Sequence, residues 1–116
     1  MTITIKTQGQ NLTMYQGSNF EKTFTAKDAN TANVTISGGS CSSQMRKNYT
    51  TTNTSFILDF TTSISGSNVT ITANSTQTAS MASGVYVYDI EYTQSDGVTK
   101  ERIIEGMVTI IPNATK

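Results

Sequence analysis

The chain has no histidine and no tryptophan, and only one proline and one cysteine. Without histidine there is no Ser-His-Asp triad, no Cys-His pair and little prospect of a transition-metal site. The lone Cys41 can form no disulfide within the chain. With no histidine to activate it, it reads as a small apolar filler rather than a reactive thiol. Charge is also scarce: 14% of residues are charged and the formal net charge is zero. There is no basic stripe to meet phosphates, so no nucleic-acid partner is expected. No apolar run approaches the length of a membrane span, so no membrane contact is expected. The opening Met1–Gln8 has neither the charged nor the apolar region of a secretory signal. These absences together predict a protein made in a reducing cytoplasm. Seven N-x-Ser/Thr triplets occur, at Asn11, Asn33, Asn48, Asn53, Asn68, Asn74 and Asn113. With no secretory signal, they read as a by-product of abundant Asn and Thr.

Threonine, serine and asparagine fill much of the remainder. Threonine suits a half-exposed strand face, and Ser and Asn suit turns. At 116 residues the chain is expected to be a single domain, 1–116, around one modest core. Period-two alternation runs through most of it. Ile3 and Ile5 share a face in Thr2–Lys6, and Leu12–Tyr15 is a short apolar piece. Phe20 and Phe24 oppose Glu21, Thr23 and Thr25. Val34–Ile36 reads as a brief strand. In Ser40–Tyr49, Cys41, Ser43 and Met45 are the inward candidates and Arg46 faces away. Phe56, Leu58 and Phe60 alternate with Ile57, Asp59 and Thr61, and Val69, Ile71 and Ala73 mark a further strand. Between Asn74 and Ser83 the alternation stops, and Ser75 is placed to cap a single helical turn.

Gly84–Pro112 reads as a long β-hairpin around Asp96-Gly97. A two-residue loop there sets Glu91 opposite Arg102, Ile90 opposite Ile103, Tyr86 opposite Met107 and Val87 opposite Gly106. Acid then meets base and apolar meets apolar. Gly106 marks a bulge or a close backbone approach. Gly84-x-Tyr86-x-Tyr88 has the spacing of the tyrosine corner of immunoglobulin-like domains, with Tyr88 at the core position. Strands at roughly ten-residue spacing predict an all-β fold, an immunoglobulin-like antiparallel β-sandwich of about seven or eight strands.

Candidate chemistry is thin. Gly38-Gly39 and Gly66 match no phosphate-binding loop. Asp89 and Glu91 share a strand face beside Glu101 and Glu105. A paired-carboxylate glycosidase is the sharp reading of that group. A solvated face balanced by Lys100 and Arg102 is the plainer one, and it is preferred. No loop is dense enough in carboxylates to hold calcium. No catalytic, cofactor-binding or metal-binding residue is therefore assigned, and no cofactor is expected. Arg46, Lys47 and Tyr49 form a possible partner contact. The five methionines, Met1, Met14, Met45, Met81 and Met107, form no stripe and read as core or rim fillers. Ile57, or Ile103 with Ile111, could contribute an apolar contact patch.

Four pieces together carry a family resemblance: Gln16-Gly17-Ser18-x-Phe20; Ser43-Gln44-Met45-Arg46-Lys47; Gly84-x-Tyr86-x-Tyr88-Asp89-Ile90-Glu91; and Asp96-Gly97 followed by Arg102-Ile103-Ile104-Glu105-Gly106-x-Val108-Thr109-Ile110-x-Pro112. The chain resembles small tailed-phage virion proteins similar to the N-terminal domain of the baseplate upper protein of lactococcal phages. Its Ser43–Tyr49 piece is most similar to versions in phages of marine cyanobacteria. One departure is Ala32-Asn33-Val34, which stands where that family usually carries a proline. The resemblance implies an immunoglobulin-like module with no catalytic residues. It would be present in multiple copies on the virion and bound to other virion proteins of the capsid, neck or tail/baseplate. The alternative is a receptor- or carbohydrate-binding module of the particle, with Tyr15, Tyr49 or Tyr92 as stacking platforms.

Overall fold

The computed structural model describes residues 8–9, 11–27, 32–53 and 56–112. The expected Thr2–Lys6 strand lies outside them. Alternation becomes strand in β1 (Gln8–Gly9), β2 (Leu12–Tyr15), β3 (Phe20–Thr25), β4 (Ser40–Arg46), β5 (Ile57–Ser65), β6 (Asn68–Ala73), β7 (Gly84–Thr93) and β8 (Lys100–Ile111). One short helix, α1 (Ser75–Ala79), precedes β7. The hydrogen-bonded order is β1-β8-β7-β4-β5-β6-β3, with β2 also on β8. The sheet is mixed rather than purely antiparallel, because β1 and β2 run parallel to β8. The fold is an all-β sandwich.

β5 makes the corner between the two layers. Its first half, Ile57–Phe60, pairs with β4, and its second half, Thr61–Ser65, pairs with β6. One unbroken alternation serves both layers: Leu58 and Phe60 point into the core, and Ile64 packs against it further along. The layers meet through aromatic rings. Phe24 on β3 stacks with Tyr88 on β7 at 6.5 Å, and Phe20 lies 5.8 Å from Phe60. Tyr86, Tyr88 and Met45 are fully buried, and each such side chain contributes about 2–3 kcal/mol of burial. Ser43 is a buried polar residue of the core layer, and its hydroxyl donates to the Asp89 carbonyl at 2.6 Å.

Several expectations need correction. Val34–Ile36 is not a strand. Its backbone bonds to the turn instead: Ile36 N–H and Ser37 N–H both donate to the Gly66 carbonyl. Ile36 is still completely buried, so the segment packs into the core without joining a ladder. Asn74, not Ser75, caps α1. Its side chain accepts from Gln77 N–H while the Gln77 side chain accepts from Asn74 N–H, a reciprocal capping box.

The hairpin loop has four residues, Ser95–Val98, closed by Gln94 N–H to the Thr99 carbonyl and by Gly97 N–H to the Gln94 carbonyl. It is centred on Asp96-Gly97, so Glu91 still faces Arg102. Beyond that pair the register shifts: Ile90 faces Ile104 rather than Ile103, Tyr86 faces Val108 rather than Met107, and Gly106 faces Tyr88 rather than Val87. Ile103 is the extra residue of a β-bulge. Both Ile103 and Ile104 are buried, which a strand of strict period two could not achieve.

Candidate functional site

The tyrosine corner pins the start of the hairpin. The Tyr86 hydroxyl donates to the Ala82 carbonyl at 2.8 Å, four residues upstream. Lys47 Nζ lies 5.0 Å from the centre of the same ring, a cation–π contact. Gly84 has φ 139°, a conformation other residues rarely adopt, and a Cβ there would stand 3.0 Å from Lys47 Nζ. Gly97 closes the loop at φ 75°. Asp96 accepts hydrogen bonds from Val98 N–H, Thr99 N–H and the Thr99 hydroxyl. Those bonds hold its carboxyl down at about 2. Gly106 falls in register on the inward side opposite Tyr88, where it places no side chain beside the buried ring. Gly84, Tyr86, Tyr88, Asp96, Gly97 and Gly106 thus all lie on the β7–β8 hairpin.

The outer face of the larger layer divides into two fields. At the Ile111 end, parallel pairing sets Tyr15 beside Ile111 and Thr13 beside Thr109, and Thr109 in turn faces Val85. The next outward row is Met107, Val87, Arg46 and Ile57 across β8, β7, β4 and β5. Tyr15, Val85, Met107 and Ile111 are exposed, from 37% to 55%. They are four of the six exposed large hydrophobic side chains of the described residues, so they form a patch and not a scatter. The patch that sequence reasoning sketched with Ile103 is corrected here. Ile103 is buried by the bulge, whereas Ile111 takes part.

The other field is polar. Its central row runs Asp59, Gln44, Asp89 and Glu105 across β5, β4, β7 and β8. Arg102 bridges Asp89 and Glu105, at 3.3 Å to each, and its guanidinium lies 5.5 Å from the Tyr49 ring centre. Arg46 donates twice to the Gln44 side-chain oxygen and once to the Thr51 carbonyl, and Gln44 donates on to Asp59. Burial raises the Asp89 carboxyl above its ordinary range; Arg102 opposes the rise and Glu91 adds to it. Two adjoining depressions of about 410 and 470 Å³ share Gln44 and Asp89 as their floor.

The expected contact trio is split. Arg46 and Tyr49 line the first depression, whereas Lys47 turns to the Tyr86 corner. Asp89 and Glu91 do share the outer face, but Asp89 is tied to Arg102 in an ion pair that also takes in Glu105. Of the proposed stacking platforms, Tyr15 and Tyr49 are open, while Tyr92 is buried at 2% exposure and is unavailable. Burial also lifts the Cys41 thiol to about 11, so it carries little thiolate at neutral pH. Met14, Met45 and Met81 are buried and Met107 is open, which matches fillers of core and rim, while Met1 lies outside the described residues. Among the described residues no cluster of three or more metal-ligating side chains occurs, and no helix is long and apolar enough to cross a membrane.

Fold and surface define a class: an all-β sandwich whose larger layer carries one apolar and one polar field on its outer face. Comparison with protein-family models and with curated proteins finds no match.

Proposed function

We propose that the chain is a non-enzymatic structural protein of a tailed-phage virion. In this reading it is an immunoglobulin-like module that docks on capsid, neck or tail/baseplate proteins in a decoration or adaptor role. The observation that carries the reading is the outward apolar field of Tyr15, Val85, Met107 and Ile111. None of these side chains is needed to fill the core, and each keeps apolar surface in water until a partner covers it. Zero net charge removes long-range repulsion between the chain and neighbouring subunits or further copies of itself. The immunoglobulin-like assignment is supported by the Tyr86–Ala82 corner and by the connectivity. In one layer β4 pairs with β7 and β7 with β8; in the other, β3 pairs with β6 and β6 with β5. The sequence resemblance supplies the particle.

The mechanism is surface complementarity. The apolar field provides the desolvated centre of a contact, and the Arg46–Asp89–Arg102 side provides a polar rim. Mass spectrometry of purified virions from the phage encoding the chain tests the reading. The protein is expected among the particle components, and its absence from intact particles would sink the proposal.

A further inference from the structure

The polar field is more ordered than a solvated face requires. In an ordinary exposed face, long side chains wave independently, and surface ion pairs contribute little. Here Thr51, Arg46, Gln44 and Asp59 form one hydrogen-bonded chain, and Arg102 gathers Asp89 and Glu105 as ion pairs and the Tyr49 ring as a cation–π contact. The two groups meet at the shared floor of the depressions, to which each contributes a residue, Gln44 and Asp89. Such side chains have already given up rotamer freedom, so a ligand meeting them loses less on binding.

The lining also limits the ligand. Tyr49 is 53% exposed and, beside its contact with Arg102, offers aromatic surface suited to the apolar face of a sugar ring. Gln44, Asp89 and the two guanidiniums offer donors and acceptors side by side, which is what a hydroxyl, both donor and acceptor, can use. Positive Arg46 and Arg102 are set against negative Asp59, Asp89 and Glu91. A polyanion would meet those carboxylates, whereas a neutral polar ligand has no charge to desolvate. Each depression falls within the usual volume range of ligand sites, and the two adjoin at Gln44 and Asp89, as a chain molecule of more than one ring requires.

The geometry points to a binding site for a short neutral oligosaccharide lying across β4 and β7, one sugar ring stacked on Tyr49 and its hydroxyls bonded to Gln44 and Asp89. This site borders the apolar field, with Arg46 and Val87 at the boundary, and it stands whether or not the chain belongs to a particle.

The full chain, labelled with ¹⁵N, is titrated by NMR with a panel of neutral gluco-, galacto-, manno- and rhamno-oligosaccharides and an N-acetylglucosamine trimer, with a glucuronate trimer as the charged control. The expected result is saturable shifts at the Gln44 side-chain amide and at the Arg46, Tyr49 and Asp89 backbone amides with at least one neutral sugar. Tyr49→Ala should weaken that response by about tenfold or more while the folded spectrum is kept, and Tyr49→Phe should restore it. The proposal is overturned by silence across the neutral panel up to about 10 mM, by a stronger response to the glucuronate trimer, by shifts confined to another face, or by indifference to Tyr49→Ala.

Discussion

The two faces of the β7–β8 hairpin share one ladder and serve opposite ends. Inward stand Tyr86, Tyr88, Ile90, Tyr92, Ile103, Ile104, Val108 and Ile110, all exposed by 3% or less. Outward stand Val85, Val87, Asp89 and Glu91 on one strand, and Arg102, Glu105, Met107, Thr109 and Ile111 on the other. The inner face explains why the chain folds, since its rings and branched chains make up much of the single core. The outer face contributes little to that core, so its composition is free to serve something else. On that face apolar residues concentrate at the Ile111 end and charged ones at the other, with Arg46 beside Val87 at the boundary. This segregation along the strands fits a surface with two separate contacts better than a surface that only stays soluble.

This contrast can be broken or sharpened by substitution, starting from the inner face. Tyr88→Ala removes a fully buried ring stacked on Phe24 and should cost about 3–5 kcal/mol, read as a lower denaturation midpoint with an unchanged slope. If the loss were under about 1 kcal/mol, Tyr88 would not be core. Tyr86→Phe keeps the ring and deletes only the hydroxyl bond to the Ala82 carbonyl, so a loss of about 1 kcal/mol is expected in the same assay. No loss at all would mean that the corner does not pin the hairpin.

The loop gives the smallest effect and a pH signature. The Asp96 carboxyl is held at about 2, below its ordinary 3.8, so its contribution is complete above about 3.8 and disappears as pH falls through about 2. Asp96→Ala should therefore lower the melting temperature by a few degrees at most near neutral pH, and the gap to the unmodified chain should close by pH 2. A gap that stays constant with pH would show that the Val98 and Thr99 bonds do not depend on the charge. Asp89 acts with the opposite sign. Its folded-state carboxyl is raised, so protonation favours the folded chain and the benefit is lost as pH rises.

Much of the fold was legible because its cause is local. Phe20 and Phe24, Leu58 and Phe60, and Val69 and Ile71 each declared their inner face by alternation, and Gly84-x-Tyr86 declared the corner. The bulge also left a trace: Ile103-Ile104 is an adjacent apolar pair inside an alternating strand, and its burial needed one extra residue. That trace was missed because acid–base pairing at Glu91 and Arg102 fitted the unbulged register equally well. Val34–Ile36 misled because β-branched residues suit a strand, whereas its backbone found the Gly66 carbonyl first. The two outer fields were only partly legible. Asp89 and Glu91 were visible on one strand. The meeting of Tyr15 with Ile111 depends on parallel pairing between opposite ends of the chain, and that of Tyr49 with Arg102 on contact between a loop and a distant strand. No local pattern encodes either.

We propose that the outward apolar field, not apolar exposure in general, joins the chain to a virion. Val98 provides the control, because among the described residues it is the most exposed large hydrophobic side chain, and it sits at the hairpin tip away from the field. The direct measurement is quantitative mass spectrometry of purified particles assembled with Met107→Asp or with Val98→Asp, both of which should fold as the unmodified chain does, within about 0.5 kcal/mol. Met107→Asp is predicted to fall to about a tenth of the normal copy number or less, with Val98→Asp near normal. Normal incorporation of Met107→Asp, or equal loss of both, would contradict the claim.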